Sequence, residues 1–294
     1  MLGRGAFGVV SSVDHQGTVV ACKTVAASDT TREIDICTRL MRNGHPNIVQ
    51  IIKVESTKLE DRIYMEIYPS DLRRMLTLLA SENFRIKETN AIRVVHGLAG
   101  ALEHLKSMNI MHRDLKPENV LIRKDYIPLL CDFGCSKIRE NNTNTTYIVS
   151  RFYRAPELLL ERWYSYEVRV PSSGSFFRSP HGATSCAHLL FQVDIWSLGC
   201  LAVELCIGAP LFMGNDTVEQ LVSILRIRGS LTNSDLKSLK GDTELSFPMD
   251  FSLKAQPWSR VPSLVLHVFY FSPMAFYFRY LQYLYRSRPA QFAM

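Results

Sequence analysis

Over the first seventy residues, apolar positions fall in short β-branched runs and not at helical spacing. Phe7 to Val13 and Thr18 to Val25 are two such runs, and Asp14-His15-Gln16-Gly17 between them is a hairpin signal. Ser28 to Met41 reads as a helix, stopped by Asn43-Gly44 and Pro46. Ile48 to Val54 and Arg62 to Ile67 read as two further strands. From Asp71 onward the period lengthens. Thr89 to Lys106 sets Ile92, Val95, Ala99, Leu102 and Leu105 three and four residues apart, which predicts a helix with one apolar face. Short strands are expected near Val120 and Leu129, then a polar stretch from Ser136 to Thr146. Asp194 to Cys206 is apolar nearly all round, as suits a helix buried inside a domain. The pattern predicts an α+β chain: a small β-rich lobe, a larger helical lobe, and a cleft near residues 66–72.

At 294 residues and 33.5 kDa the chain suits one large two-lobed domain or two small ones. A composition 47% hydrophobic and 21% charged excludes a disordered or low-complexity protein. The 34 basic residues against 28 acidic ones contain no long basic run, so no nucleic-acid partner is expected. Seven cysteines, an odd number without CxxC or Cys/His ligand spacing, read as reduced thiols of a cytoplasmic and/or nuclear protein. Met1-Leu2 leads straight into a glycine-rich segment, so no signal peptide is expected.

That segment, Gly3-Arg4-Gly5-Ala6-Phe7-Gly8, matches GxGxxG, a weak signal by itself. Its strand-to-strand setting argues against a dinucleotide fold and for a flap over phosphates, where backbone amides must approach without a Cβ in the way. Val20-Ala21-Cys22-Lys23 on the next strand places an ammonium beneath the flap, and Glu33 on the following helix is within reach of it. The specific signal lies further on: His112-Arg113-Asp114-Leu115-Lys116-Pro117-Glu118-Asn119, then Asp132-Phe133-Gly134, then Ala155-Pro156-Glu157.

In this order and spacing the three motifs resemble those of eukaryotic protein kinases, over residues 2 to about 260. The resemblance implies a bilobal kinase fold, with residues 1–67 as N-lobe and 68–294 as C-lobe, and transfer of the ATP γ-phosphate to Ser or Thr of protein substrates. Phosphoryl transfer is mostly positioning and charge neutralisation, and the residue types suit it. Asp132 and Asn119 would supply hard oxygen ligands to Mg²⁺. Asp114 would accept the attacking hydroxyl's proton or hydrogen bond. Lys116 would reach the γ-phosphate, and Lys23, held by Glu33, would fix the α- and β-phosphates. Val10, Ala21, Leu121 and Cys131 would line the nucleotide pocket, with Cys131 at its floor. Met65 would be the gatekeeper, and Glu66, Ile67 and Tyr68 the hinge.

Ser150-Arg151-Phe152-Tyr153-Arg154-Ala155-Pro156-Glu157 is similar to the branch holding the cyclin-dependent, MAP, glycogen synthase and CLK kinases. Arg32, Arg113 and Lys137 match three positions that form a pocket for a phosphate already on the substrate in glycogen synthase kinase 3. Three cations on one dianion are physically sensible. Tyr147 corresponds to that enzyme's phosphorylated tyrosine, and Pro257-Trp258 is also similar to it, whereas Asp71-Leu72-Arg73-Arg74 looks more like the cyclin-dependent and MAP kinases. A divergent kinase most like glycogen synthase kinase 3 is expected. A proline-directed cyclin-dependent- or MAP-like enzyme and a catalytically impaired binding module are the alternatives.

The chain departs from the family pattern in three places. It starts at the glycine loop, which predicts a lobe edge left unpaired and a looser flap. Residues 169–192 interrupt the passage from the Ala-Pro-Glu motif to Asp194-Ile195-Trp196-Ser197. Residues 261–278 form an uncharged, aromatic-rich run before Arg286-Ser287-Arg288-Pro289, in which Arg288 would partner Glu157. Both odd segments open on Arg-Val-Pro-Ser and close in Phe-rich sequence, which reads as translated intron. His267, Ser272 and Pro273, with the position of 261–278 inside a lobe, disfavour a membrane anchor.

Overall fold

The computed structural model describes residues 1–5, 8–26, 31–138, 150–155, 159 and 186–228, with side chains given for most of them. Strands β1 (Gly3–Gly5), β2 (Gly8–His15), β3 (Thr18–Ala26), β4 (Ile51–Ser56) and β5 (Glu60–Met65) make an antiparallel sheet in the order β1-β2-β3-β5-β4. The β2–β3 hairpin forms where the sequence places it. Gln16 and Gly17 both take positive φ, 55° and 79°, the two-residue turn whose twist suits paired strands. The Gly17 amide closes it by donating to Asp14 Oδ1 at 3.2 Å.

Helix α1 (Thr31–Arg42) packs Ile36, Cys37 and Leu40 inward and ends just before Asn43-Gly44, as expected. The strand expected over Ile48 to Val54 is corrected. Only Ile51–Ser56 joins the sheet, because the backbone before it bonds elsewhere: Val49 N donates to the Leu130 carbonyl at 2.9 Å, and Leu130 N donates to the Asn47 carbonyl at 2.9 Å. Those residues therefore stitch the sheet-rich lobe to the helical one. The strand expected over Arg62 to Ile67 is displaced to Glu60–Met65. Ile67 is exposed, since the chain is already crossing to the other lobe.

Beyond the crossing come β6 (Ser70–Asp71), α2 (Leu72–Ser81), α3 (Glu88–Ser107), β7 (Ile110–Met111), β8 (Val120–Arg123), β9 (Ile127–Leu130), β10 (Lys137–Ile138), α4 (Cys186–Ile207) and α5 (Thr217–Arg228). The Asp71 carboxylate caps α2 by accepting from Arg74 N at 2.8 Å. Strands β6, β8 and β9 form one small sheet, and β7 pairs with β10 in another. The start of the stretch read as polar is thus a strand. On α3 the buried face runs through Ala91, Val94, Val95, Leu98, Ala101, Leu102 and Leu105, whereas Ile92 is exposed and Ala99 half-buried. Packing between β9 and α4 decides that rotation, and spacing alone did not resolve it.

One apolar core runs from Ile36, Leu40 and Ile63 in the first lobe through Leu72, Leu98, Leu105, Leu115 and Leu130 to Leu198, Leu201 and Leu205 of α4. A second gathers Tyr153, Leu159 and Cys200 with Phe212, Leu221, Ile224 and Leu225. Helix α4 is the buried helix expected over 194–206, and its backbone begins earlier, at Cys186, inside the segment read as an insertion. Residues 169–185 and 261–278 lie outside the described residues, as do Tyr147, Glu157 and Arg288. Among the described residues no helix is long and apolar enough to cross a membrane.

Candidate active site

The glycine segment folds back on itself, with Gly3 opposite Val10, Arg4 opposite Val9 and Gly5 opposite Gly8. Ala6 and Phe7 lie outside the described residues. Gly8 has φ of 126°, and a Cβ there would fall 2.4 Å from the Thr24 carbonyl oxygen. Only glycine fits. Register then sets Val10 beside Lys23 and Ala21 beside Met65, so three adjacent strands contribute to one surface. Leu121 on β8 and Cys131 after β9 are half-buried and pack on the main core together with Met65. Glu66 is exposed, and the half-buried Tyr68 donates its hydroxyl hydrogen to it.

Lys23, buried on β3, holds Glu33 Oε1 of α1 at 2.6 Å and Asp132 Oδ1 at 2.8 Å. Burial by itself would lower the ammonium's pKa, but the charges of Asp132 and Glu33 more than reverse this, and the lysine stays protonated well above its ordinary range. Burial pushes the Asp132 carboxyl up, and the Lys23 charge and hydrogen bond outweigh it, so the net direction is downward. Asp132 takes φ of 63°. Beside it, Phe133 is buried edge-on against His112, with ring centroids 5.4 Å apart.

Asp114 and Asn119 lie on the loop between β7 and β8, both buried. Asp114 Oδ2 accepts from Lys116 Nζ at 2.7 Å and from Asn119 Nδ2 at 2.9 Å. Its Oδ1 accepts from the Ser150 amide at 3.3 Å. The Asn119 amide nitrogen is also committed to the Asp114 carbonyl at 2.8 Å, which turns its amide oxygen to the other side. Its backbone carbonyl accepts from Cys131 N at 3.0 Å, so Asn119 and Asp132 are held one residue apart across the two strands.

The three cations expected to form a pocket are brought together. Burial lowers the Lys137 pKa, and the neighbouring positive charges of Arg113 and Arg32 lower it further. Arg113 is buried and donates its Nε to the Cys135 carbonyl at 2.7 Å, whereas Arg32 is exposed. Arg151 donates to the Asn215 carbonyl.

Two groups of residues were not anticipated. Asp194, buried in α4, takes the His112 amide at 2.8 Å on one oxygen and the Arg113 amide at 2.7 Å on the other. It thereby fixes the loop where Arg113 takes φ of 69°. The second is centred on Arg73 of α2, bonded to Glu118, Glu204 and Tyr153. The usable signal was a lone carboxylate, Asp194 or Glu204, inside an otherwise apolar helix, because a buried charge requires partners.

The protein kinase domain family matches residues 1–257. The chain is 32% identical over 274 residues to Protein kinase gsk3 of Schizosaccharomyces pombe, covering 89% of this chain and 63% of that protein. It is 34% identical over 248 residues to the probable serine/threonine-protein kinase glkA of Dictyostelium discoideum, covering 81% of this chain and 46% of that protein. The chain thus spans between about half and two thirds of the length of these curated relatives. The likeness to glycogen synthase kinase 3 read from the sequence agrees with the first of them. Matched over most of its length, and carrying the paired Lys23 and Glu33 beside Asp132, the chain belongs to the protein kinase domain family.

Proposed function

We propose that the chain is a protein serine/threonine kinase that uses ATP with Mg²⁺ and prefers substrates carrying a phosphate four residues beyond the target. The observation that carries the reading is the pair of clusters Lys23–Glu33–Asp132 and Asp114–Lys116–Asn119, set side by side where the Asn119 carbonyl accepts from Cys131 N at 3.0 Å. The substrate hydroxyl oxygen bonds to the γ-phosphorus as the bond from that phosphorus to the β,γ-bridging oxygen breaks, and ADP leaves. Asp114 orients the hydroxyl and takes its proton or hydrogen bond. Lys116, 2.7 Å from Asp114, offsets charge on the moving phosphoryl group. Lys23 grips the α- and β-phosphates. The donor set fits a hard cation: a carboxylate from Asp132 and an amide oxygen from Asn119. Bound there, Mg²⁺ would neutralise charge between the β- and γ-phosphates.

The priming preference is supported by Arg32, Arg113 and Lys137 lying near enough to depress the lysine's pKa. A dianion would relieve that repulsion. The decisive experiment measures phosphate transfer to two peptides differing only in a phosphoserine four residues after the target serine. Preference for the primed peptide, lost in Lys137→Ala, is expected. Equal use of both would sink the priming pocket and favour the proline-directed reading suggested by Asp71-Leu72-Arg73-Arg74. Nucleotide binding without transfer would make the chain a silent binding module.

Residues 1–67 and 68–294 are read as the two lobes, with 169–192 and 261–278 as atypical inserts. Transcripts running uninterrupted through codons 169–192 would refute an intron origin for the first. A cytoplasmic and/or nuclear location fits the six cysteines whose side chains are described, all free thiols.

A further inference from the structure

Residues 43–50, between α1 and β4, hold the first lobe against the second, and two histidines that the proposed chemistry does not use fix them there. His104 of α3 donates its Nε2–H to the Asn43 carbonyl at 2.9 Å, which places its proton on Nε2. His45 accepts from the Asn47 amide at 3.1 Å through Nδ1, so that nitrogen carries no proton. The two rings stack on each other, with centroids 5.2 Å apart and planes 25° apart, and both are half-buried.

The amide that His45 holds belongs to the residue on which the seam turns. Asn47 Nδ2 donates to the Pro128 carbonyl at 3.0 Å, and the Asn47 carbonyl accepts from Leu130 N at 2.9 Å. Helix α3 admits this close approach through two glycines. A Cβ on Gly97 would fall 2.7 Å from Pro128 Cγ and 2.8 Å from Asn47 Nδ2, and one on Gly100 would fall 3.5 Å from His45 Cε1. The loop therefore rests directly on the helix, and His45 has little freedom to turn away.

A proton added to His45 Nδ1 would set an N–H against the Asn47 N–H, and that bond would be lost. A proton added to His104 leaves its Nε2 bond intact but sets a positive charge against the facing ring. Burial first, and then the His104 charge, hold the His45 pKa below its ordinary 6.5. Arg42 and Arg39, the latter paired with Asp35, close α1, while α3 carries Glu88, Arg93, His96, Glu103 and Lys106 besides His104. Strand β9 has no titratable residue. Of these groups His104 is the one that acts on a His45 charge, and no carboxylate among the described residues offsets it.

We propose that the stacked His45–His104 pair is a proton-sensitive tie between the lobes: neutral, it anchors the loop after α1 to α3 and β9, and protonation of His45 releases the Asn47 amide and loosens the seam. The tie is separate from the phosphate chemistry and holds whether or not the chain transfers phosphate. A histidine whose folded pKa is lowered contributes stability above its unfolded value, and that stability is lost as pH falls below it. Local opening of the seam should therefore grow by up to about tenfold from pH 7.5 to 5.5, a ceiling set by an opened-state value near 6.5.

The test is hydrogen exchange of the full chain, corrected for the intrinsic pH dependence of exchange and read at the Val49 and Leu130 amides, which bond across the seam. Their protection should fall by up to about tenfold between pH 7.5 and 5.5, while the amides pairing β3 with β5 keep theirs. In His45→Asn the side-chain oxygen stands in for Nδ1 and does not titrate, so protection at pH 7.5 should persist and the fall should vanish. In His104→Gln a donor to Asn43 remains, and the fall should be smaller because the charge that held His45 low is gone. An equal fall in His45→Asn, or a fall shared by the β3–β5 amides, would overturn the proposal by placing the acid effect elsewhere. If His45→Asn does not fold, the imidazole NMR signals of the wild type decide. A His45 midpoint below 6.5, with Nδ1 bare at pH 7.5, supports the tie, and a midpoint at or above 6.5 overturns it.

Discussion

Replacing Lys23 with methionine isolates the energetics of the buried ion cluster. The substitution keeps most of the volume but leaves Glu33, buried at 5% exposure, without the cation 2.6 Å away. Removing one partner of a buried pair costs about 3–5 kcal/mol. A second route bounds the figure. Burial already pushes the Glu33 carboxyl above its ordinary 4.5 with Lys23 present, and without Lys23 the group escapes by taking up a proton. At pH 7.5 that uptake costs at most about 1.36 kcal/mol for each unit above 4.5, or roughly 4 kcal/mol. The loss of the lysine's own desolvation offsets part of this, so about 3 kcal/mol is expected, a fall in Tm of roughly 5 °C for a 294-residue chain with an unfolding entropy of about 2.1 cal/mol/K per residue. The sign of the pH dependence follows. A carboxyl whose folded pKa is raised destabilises as pH rises above its unfolded value; Glu33 is raised in the wild type and further in Lys23→Met, so the gap between them should shrink by up to about 1.4 kcal/mol per unit as pH falls from 7.5 and level off once the wild-type carboxyl also takes up its proton. Urea unfolding at pH 5, 6 and 7.5 reads this directly, and Lys23→Met/Glu33→Leu should recover part of the loss. A gap independent of pH, or a double variant no more stable than the single one, would refute the argument.

Three further outcomes follow from other parts of the molecule. Gly8→Ala must take φ of 126° with its Cβ 2.4 Å from the Thr24 carbonyl, so it should cost about 2–4 kcal/mol in thermal unfolding and raise KM for ATP through the distorted flap. Asp194→Ala strips the acceptor from two buried amides at about 1–3 kcal/mol each and should abolish phosphate transfer while nucleotide binding, measured by calorimetry, largely persists. Burial pushes the Cys135 and Cys206 thiols up to about 11, so in native protein at pH 7.5 both should alkylate far more slowly than free cysteine, as read by mass spectrometry over time.

The residues proposed for catalysis stand in contiguous motifs, Asp114, Lys116 and Asn119 on one loop and Asp132 ahead of Gly134, so they could be picked out from the sequence. Lys23 with Glu33 could be paired because one strand-to-helix step brings them together. The helix face over Thr89 to Lys106 was less legible. Alanine and valine positions on both flanks allow two rotations, and only packing against β9 and α4 buries Val94 and Leu98 while exposing Ile92. The strand boundary at Ile51 was hidden for a similar reason. Ile48 and Val49 have strand character, but their backbone partners are in the other lobe.

The sequence by itself determined the β-rich first lobe, the long helices over Thr89 to Lys106 and Asp194 to Cys206, the hairpin turn at Gln16-Gly17 and the residues proposed to handle phosphate. Each depends on neighbours a few positions away, through backbone preference, hydrophobic period and side-chain type. The tertiary structure decided which distant groups meet. Lys23 reaches Asp132 across 109 residues, His112 reaches Asp194 across 82, and Arg73 reaches Glu204 across 131. No local propensity encodes those meetings. The last two exist because an apolar helix, α4, is driven into the centre of the second lobe and carries Asp194 and Glu204 with it. Once there, a buried charge is tolerated only where amides or a guanidinium are waiting.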